Sequence, residues 1–233
     1  MSVVTHPRLH DLPAAVLWDM DGTLVNTEPY WISAETDLIE SFGGTWTHDE
    51  ALQLVGSGLW HSAQVLQAKG VALPEDEIIN ELSNRVLGQL EEFGIPWRPG
   101  ARELLVELRE AGIPTAMVTM SIGTMAHHVA DGLGFVGFDA VVAGDDVANS
   151  KPHPESYLRG AEVLGVDPVD CVAIEDSLPG IASAAAAGTV VIGVPFMVDL
   201  AGSEAHEFWP TLEGRHVADL AAALSARNEV RSR

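Results

Sequence analysis

The stretch Ala14-Ala15-Val16-Leu17-Trp18-Asp19-Met20-Asp21-Gly22-Thr23 determines how the rest of the chain is interpreted. An apolar run ends abruptly at two carboxylates one residue apart, which predicts a short buried strand that ends at Asp19. Because side chains alternate along an extended chain, Asp19 and Asp21 begin on the same side and Met20 points away. Two carboxylates at the end of a buried strand repel each other, and a cation between them would offset that cost.

The composition limits the partners of this chain. Of its 233 residues, 47% are hydrophobic, which suits a folded protein of one or two domains. The formal net charge of -22 disfavours nucleic acid and anionic membranes as partners, and a phosphate site would need its own cation. The uncharged stretch Leu178–Val198 is interpreted as a helix and a strand, not a membrane span. A single cysteine, Cys171, and no recognisable signal peptide predict a cytoplasmic protein.

Helical and strand patterns alternate along the chain after a long helical insertion. The insertion has predicted helices over Pro29–Phe42, His48–Val55, Leu59–Lys69 and Pro74–Phe93. Beyond it, predicted strands over Pro114–Thr119, Ala140–Ala143, Cys171–Glu175 and Val190–Val194 alternate with helices over Ala101–Ala111, Gly123–Leu133, Pro154–Leu164, Pro179–Ala187 and Val217–Ser225. This order predicts an α/β fold, a Rossmann-like doubly wound parallel sheet formed by residues 1–27 and 98–233, with a small α-helical domain inserted at 28–97. The region Asp199–Gly214 is predicted to be an irregular loop.

Polar side chains follow the strands of the predicted sheet. Thr119 ends one strand, Lys151 follows another, and Glu175-Asp176 end a third, while Asp19 and Asp21 follow the first. In doubly wound sheets, ligands bind beyond the carboxyl ends of the strands, so these groups are expected to meet at one edge.

Four motifs resemble those of the haloacid dehalogenase superfamily of phosphotransferases, in the family's order. They are Asp19-Met20-Asp21-Gly22-Thr23, Thr119, Lys151-Pro152-His153-Pro154-Glu155 and Glu175-Asp176-Ser177-Leu178-Pro179-Gly180. The insertion is similar to the family's small helical cap. Within it, Thr27-Glu28-Pro29-Tyr30-Trp31 resembles the branch of hexose and hexitol phosphatases, to which the β-phosphoglucomutases are close.

The resemblance implies a role for each motif. It makes Asp19 the nucleophile that forms an aspartyl-phosphate, and Asp21 the general acid and then the base. It implies Mg²⁺ held by Asp19, the backbone carbonyl of Asp21 and Asp176, with Glu175 close by. Such a carboxylate nucleophile divides one difficult displacement into two easier ones. The phosphate-binding set that it implies comprises Met20, Thr119, Met120 and Lys151.

The loop Val55–His61 of the insertion decides between two enzymatic functions. A mutase must grip the second phosphate of a sugar bisphosphate, and this loop contains no lysine or arginine. Two interpretations of its aromatic residues remain open. Either Trp60 stacks on a sugar and His61 bonds a hydroxyl, or Trp60 belongs to the core of the insertion and His61 to the surface.

The prediction is therefore a Mg²⁺-dependent phosphatase of small phosphate monoesters, with sugar or polyol phosphates as the expected class. The alternatives are a β-phosphoglucomutase-like mutase and a non-catalytic binding protein of the same fold. A dehalogenase is disfavoured, because that branch lacks the second acid, here Asp21. The expected partner is a small phosphorylated metabolite, without nucleic acid or membrane, bound by a monomer or a dimer.

Overall fold

The structure is a computed structural model that describes residues 12–231, with side chains up to residue 229. Within this range, six strands form one parallel sheet in the order β3-β2-β1-β4-β5-β6. The strands are β1 (Ala15–Trp18), β2 (Thr115–Val118), β3 (Ala140–Val142), β4 (Cys171–Glu175), β5 (Val190–Gly193) and β6 (Glu207–Phe208). The strand order reverses between β1 and β4, which is where doubly wound sheets bind ligands. The predicted fold class is confirmed.

Both faces of β1 are buried. Val16 and Trp18 belong to one hydrophobic cluster, and Ala15 and Leu17 belong to another on the opposite face. This explains why the strand reads as a continuous apolar run, since a parallel sheet covered by helices on both faces needs no polar side.

Helices fill the intervals between the strands. They are α1 (Glu28–Ser41), α2 (His48–Leu52), α3 (Leu59–Ala68), α4 (Glu75–Phe93), α5 (Ala101–Glu110), α6 (Gly123–Asp131), α7 (Glu155–Leu164), α8 (Leu178–Ala186) and α9 (Val217–Arg231). Within the insertion, helices α1 and α3 each pack against α4. None of the helices in the described range is long and apolar enough to cross a membrane. The expectation that no signal peptide is present concerns residues outside that range.

Two helix ends differ from the sequence prediction by three residues or more, and one strand was not predicted. Helix α2 ends three residues early, where the chain turns towards Gly56, and α9 continues to Arg231 because no glycine or proline interrupts it. The prediction of an irregular loop over Asp199–Gly214 was wrong at one point, since this region contains β6. A two-residue strand is too short to show a periodic pattern.

Candidate active site

The predicted polar groups meet at the carboxyl edge of the sheet. Asp19 follows β1, Thr119 follows β2, and Glu175 ends β4, with Lys151 reaching the same edge from the loop before α7. The backbone N–H of Asp19 donates to the Ile174 carbonyl at 3.0 Å, which extends the pairing of β1 and β4 up to the carboxylates. The sheet therefore brings together Asp19 and Glu175, which are 156 residues apart in the chain.

Lys151 is the buried cation of this site. Its Nζ lies 2.7 Å from Asp19 Oδ1 and 2.6 Å from Glu175 Oε1, and it donates to the Val118 carbonyl at 3.1 Å. Burial alone would lower the pKa of Lys151, but the charges of Asp19 and Glu175 outweigh it and raise the pKa above its usual value. The ammonium therefore stays charged next to the nucleophile that the sequence predicts.

Both oxygens of Glu175 already accept hydrogen bonds from the protein. Oε1 accepts from Lys151 and from the Tyr157 hydroxyl, the latter at 2.7 Å. Oε2 accepts from the backbone N–H groups of Asp176 and Ser177, at 3.1 and 3.3 Å, and from the Ser177 hydroxyl at 3.1 Å. Glu175 therefore fixes Lys151 and the turn into α8.

The other two carboxylates keep one oxygen each without a partner. Asp19 Oδ2 and Asp176 Oδ2 are buried and accept no hydrogen bond from any described residue. Ligand atoms of Asp19, Glu175 and Asp176 all lie within 4.8 Å of one another. Burial, followed by repulsion from Glu175, raises the pKa of Asp19 to about 7, and burial with repulsion from Asp19 raises that of Asp176 well above its usual range. Unpaired hard oxygen donors in a buried acidic cluster fit a divalent cation.

Asp21 is held by four donors from two parts of the chain. Thr27 and Trp31, at the start of the insertion, donate to Oδ1 at 2.5 and 3.0 Å. Thr119 and Ser121, beyond β2, donate to Oδ2 at 3.2 and 2.7 Å. The position of the Asp21 carboxylate is therefore set jointly by the sheet edge and by helix α1.

Gly22 allows the backbone to turn against the acidic cluster. Its φ is +84°, and a Cβ atom at this position would lie 1.9 Å from Asp176 Oδ2. The Arg98 guanidinium donates to the Gly22 carbonyl at 2.6 Å and stacks on the Phe196 ring at 3.9 Å. A side chain at position 22 would displace Asp176, so only glycine suits this turn.

A cavity of about 60 Å³ lies between the sheet edge and the helical insertion. Its lining includes Asp19, Asp21 and Lys151 from the sheet edge, and Glu28 and Glu35 from α1. Burial, followed by repulsion from Asp21, raises the pKa of Glu28 to about 8, and burial raises that of Glu35 to about 7. No role for these two acids was predicted from the sequence, although Glu28 lies within the motif Thr27-Glu28-Pro29-Tyr30-Trp31.

Three residues of the predicted binding set lie elsewhere. Met20 is fully buried in the core, whereas Met120 does line the cavity. Trp60 is half-buried against the hydrophobic core and His61 is exposed, and neither lines the cavity. The interpretation of Trp60 as core and His61 as surface is the one that matches this arrangement. The residues of this loop that line the cavity are Val55, Gly56, Ser57 and Leu59.

Comparison with known proteins places this arrangement among enzymes. Residues 13–188 match the family described as haloacid dehalogenase-like hydrolase. The chain is 33% identical over 191 residues to a bifunctional riboflavin kinase/FMN phosphatase of Arabidopsis thaliana, covering 80% of this chain and 50% of that protein. It is 32% identical over 189 residues to hexitol phosphatase B of Escherichia coli K12, covering 78% and 83%.

A solved structure is similar to this chain over most of the length of both. CbbY from Rhodobacter sphaeroides, in complex with phosphate, superposes with a TM-score of 0.80 at 28% identity, covering 90% of this chain and 99% of that one. The chain spans only half the length of the Arabidopsis protein, but most of the length of the other two.

Proposed function

The chain belongs to the haloacid dehalogenase-like hydrolases, and from this premise we propose that it hydrolyses small phosphate monoesters, sugar or polyol phosphates in particular, through an aspartyl-phosphate on Asp19. The observation that carries the proposal is the Asp19 carboxylate, which has one oxygen on the Lys151 ammonium and the other buried without a partner. A carboxylate held in this way lies ready to attack an electrophile that enters the cavity.

Two displacements account for the reaction. An oxygen of Asp19 attacks phosphorus, the bond from phosphorus to the ester oxygen breaks, and Asp21 gives its proton to the leaving alcohol. Asp21 then takes a proton from water, which attacks the same phosphorus and releases phosphate and free Asp19. The four donors around Asp21 fix the position of its side chain at the sheet edge. For the first step, Thr119 and Ser121 turn from Asp21 to the phosphoryl oxygens.

We assign the metal site to Asp19, Asp176 and the backbone carbonyl of Asp21, and the metal to Mg²⁺. When bound, the ion neutralises the charge that builds up between the carboxylates and the phosphoryl group. Glu175 acts as a positioning residue, because Lys151, Tyr157 and Ser177 already occupy its oxygens. Lys151 orients Asp19 and stabilises the phosphoryl oxygens as a point charge.

Residues 28–97 are proposed to act as a cap over residues 1–27 and 98–233. The cavity of about 60 Å³ is far smaller than the several hundred Å³ that ligand pockets usually offer, so we assign this arrangement to the closed cap. Opening admits the substrate and then water, and closing excludes bulk water from Asp19. The same proposal places the protein in the cytoplasm, as a monomer.

The test is phosphate release from a panel of sugar, polyol and nucleotide monophosphates, with and without Mg²⁺. We expect activity that chelation abolishes and Mg²⁺ restores. Asp19→Asn should lower turnover by about a thousandfold or more, since the covalent step is lost. Asp37→Asn, the same change at an exposed position of α1, is the control and should keep wild-type activity. Full activity of Asp19→Asn with unchanged circular dichroism would refute the mechanism.

A further inference from the structure

The cavity contains two buried acids that the proposed chemistry does not use. Glu28 and Glu35 are 6% and 5% exposed, and both line the same cavity as Asp19 and Lys151. They stand seven residues apart on α1, so they share one face of the helix and are separated by about 10 Å along its axis. Glu28 interacts electrostatically with Asp21 and Asp19, which places it at the reacting end and Glu35 farther away.

Neither acid has a cationic partner among the described residues. The Glu28 carboxyl has no hydrogen bond or ion pair there, and Glu35 accepts one bond, from Trp46 Nε1 at 3.1 Å to Oε2. Buried polar groups in folded proteins are nearly always hydrogen-bonded. Glu28 and the Oε1 atom of Glu35 are therefore placed to bond to something that enters the cavity.

The charges of the cavity limit what can enter. Lys151 is the one cation in the described lining, and Asp19 and Glu175 already share it. A second phosphate or a carboxylate on the substrate would therefore meet Glu28 and Glu35 without neutralisation. An ammonium group would require both acids to be ionised, which their burial opposes. A hydroxyl pairs with a carboxyl in either protonation state, because it both donates and accepts.

We propose that Glu28 and Glu35 bind the alcohol part of the substrate, and that they select phosphate monoesters whose alcohol part is uncharged and carries several hydroxyl groups. This inference rests on the proposed phosphatase function, because Asp19 and Lys151 must fix the phosphoryl end. Glu28 bonds hydroxyls near the ester oxygen, and Glu35 bonds a more distant one. Apolar neighbours in the lining, Leu54 and Val55 among them, keep water from competing for these bonds.

The test compares kcat/KM for two matched pairs of substrates with the wild-type protein. In the first pair, sorbitol 6-phosphate has a hydroxymethyl group where 6-phosphogluconate has a carboxylate. In the second pair, glucose 6-phosphate has a hydroxyl where glucosamine 6-phosphate has an ammonium. We expect the uncharged member to be preferred by at least about tenfold in each pair, since a buried site rejects a group that leaves its polar atoms unpaired. Equal values, or a preference for the charged member, would overturn the inference.

p-Nitrophenyl phosphate separates this inference from the proposed function, since its leaving group has no hydroxyls. No hydrolysis of any of the five substrates would overturn both. Hydrolysis of all five without discrimination would overturn the inference alone. Glu28→Leu and Glu35→Leu should each lower the ratio of kcat/KM for sorbitol 6-phosphate to that for p-nitrophenyl phosphate by about tenfold. Glu40→Leu, at an exposed position of the same helix, should leave the ratio unchanged, and an unchanged ratio in both cavity variants would also overturn the inference.

Discussion

Charge balance at the sheet edge explains why these residues belong together. The three clustered carboxylates, Asp19, Glu175 and Asp176, surround one ammonium, that of Lys151, so the ionised cluster carries two uncompensated negative charges. Such a group is costly to bury unless a cation completes it. A divalent ion would supply the missing charge, and the two unpaired oxygens are on the carboxylates that Lys151 does not satisfy fully. The charges and the unpaired oxygens of these residues therefore fit a divalent cation.

Glu35 predicts a pH dependence of stability. Its pKa of about 7 in the folded protein lies above the 4.5 of an exposed glutamate, because burial disfavours the charge. Its contribution to stability is therefore full below about pH 4.5 and is lost as the pH rises through 7. Glu35→Gln does not titrate, so its unfolding free energy relative to wild type should increase between pH 5 and pH 8, by on the order of 1–3 kcal/mol.

Urea unfolding at the two pH values measures this difference. Ser33→Ala, an exposed change on the same helix that alters no titratable group, is the control and should differ from wild type equally at both. A Glu35→Gln difference that stays constant or shrinks towards pH 8 would show that Glu35 is ionised in the folded state without cost.

Only part of the candidate site could be predicted from the sequence. The alternation along β1 and the motifs place Asp19, Lys151 and Asp176 at one edge without any coordinates. Helical spacing places Glu35 four residues after Trp31, on the buried face of α1, and leaves Glu40 off that face. Acids are usually solvated, so the spacing alone did not predict that Glu35 lines a cavity, which forms only where α1 meets residues of the sheet edge that are distant in the chain.

At the scale of elements, strands with two buried faces were predictable and the two-residue edge strand β6 was not. The strands β1, β2, β4 and β5 are apolar except for Thr115 at the start of β2 and Glu175 at the end of β4, as the burial of both faces of a parallel sheet requires. Strand β6 depends on its neighbour instead. The N–H of His206 donates to the Val191 carbonyl at 2.8 Å, and that of Trp209 to the Gly193 carbonyl at 2.9 Å. This pairing gives the short segment a strand conformation that its own sequence does not specify.

Two glycines of the loop between α2 and α3, Gly56 and Gly58, lie directly against side chains of residues 98–233. A Cβ atom on Gly56 would lie 2.3 Å from Ser177 Oγ, and one on Gly58 would lie 2.4 Å from Ser150 Oγ and 2.5 Å from Ser150 Cβ. Gly56 also has a φ of +73°, whereas Gly58 has an ordinary φ of -69°. A change at Gly58 therefore tests the contact between cap and core without straining the backbone.

Gly58→Ala is expected to hinder closure of the cap and to lower kcat/KM by about tenfold while the protein stays folded. Gly88→Ala, inside α4, is the matched control, since a Cβ there meets nothing within 4 Å. It should keep full activity and gain stability of up to about 1 kcal/mol from helix propensity. Steady-state kinetics and thermal unfolding measure both variants.

A second-site change separates the contact from other effects of the alanine. Ser150→Gly removes the side chain that the new methyl group would meet. The activity of the double variant Gly58→Ala with Ser150→Gly should therefore be close to that of the single variant Ser150→Gly. Full activity of the single Gly58→Ala variant would show that this closed contact is not needed for turnover.

At the scale of the whole molecule, charge favours hydrolysis over phosphoryl shuttling. The protein has a net charge of -22, and Lys151 is the one cation in the described lining of the cavity, to which α1 adds the two acids Glu28 and Glu35. A phosphomutase must bind a sugar bisphosphate and turn it over while both phosphates stay neutralised. In this cavity, one phosphate of the bisphosphate would bind Lys151 and the metal, and the other would lie next to Glu28 or Glu35. The bisphosphate should therefore bind poorly, and water should take the phosphoryl group from Asp19.

Hydrolase and mutase predict opposite outcomes in one coupled assay. With β-glucose 1-phosphate and Mg²⁺, phosphate release should account for all substrate consumed, and glucose 6-phosphate, detected through its dehydrogenase, should not accumulate. Adding glucose 1,6-bisphosphate should not accelerate the appearance of glucose 6-phosphate, because no second cationic site receives its other phosphate. Phosphate release measured in parallel from a monophosphate of the panel checks that the protein is active. Bisphosphate-dependent formation of glucose 6-phosphate that outpaces phosphate release would identify a mutase, and the acids of α1 would then have to bind the sugar while another group neutralises the distal phosphate.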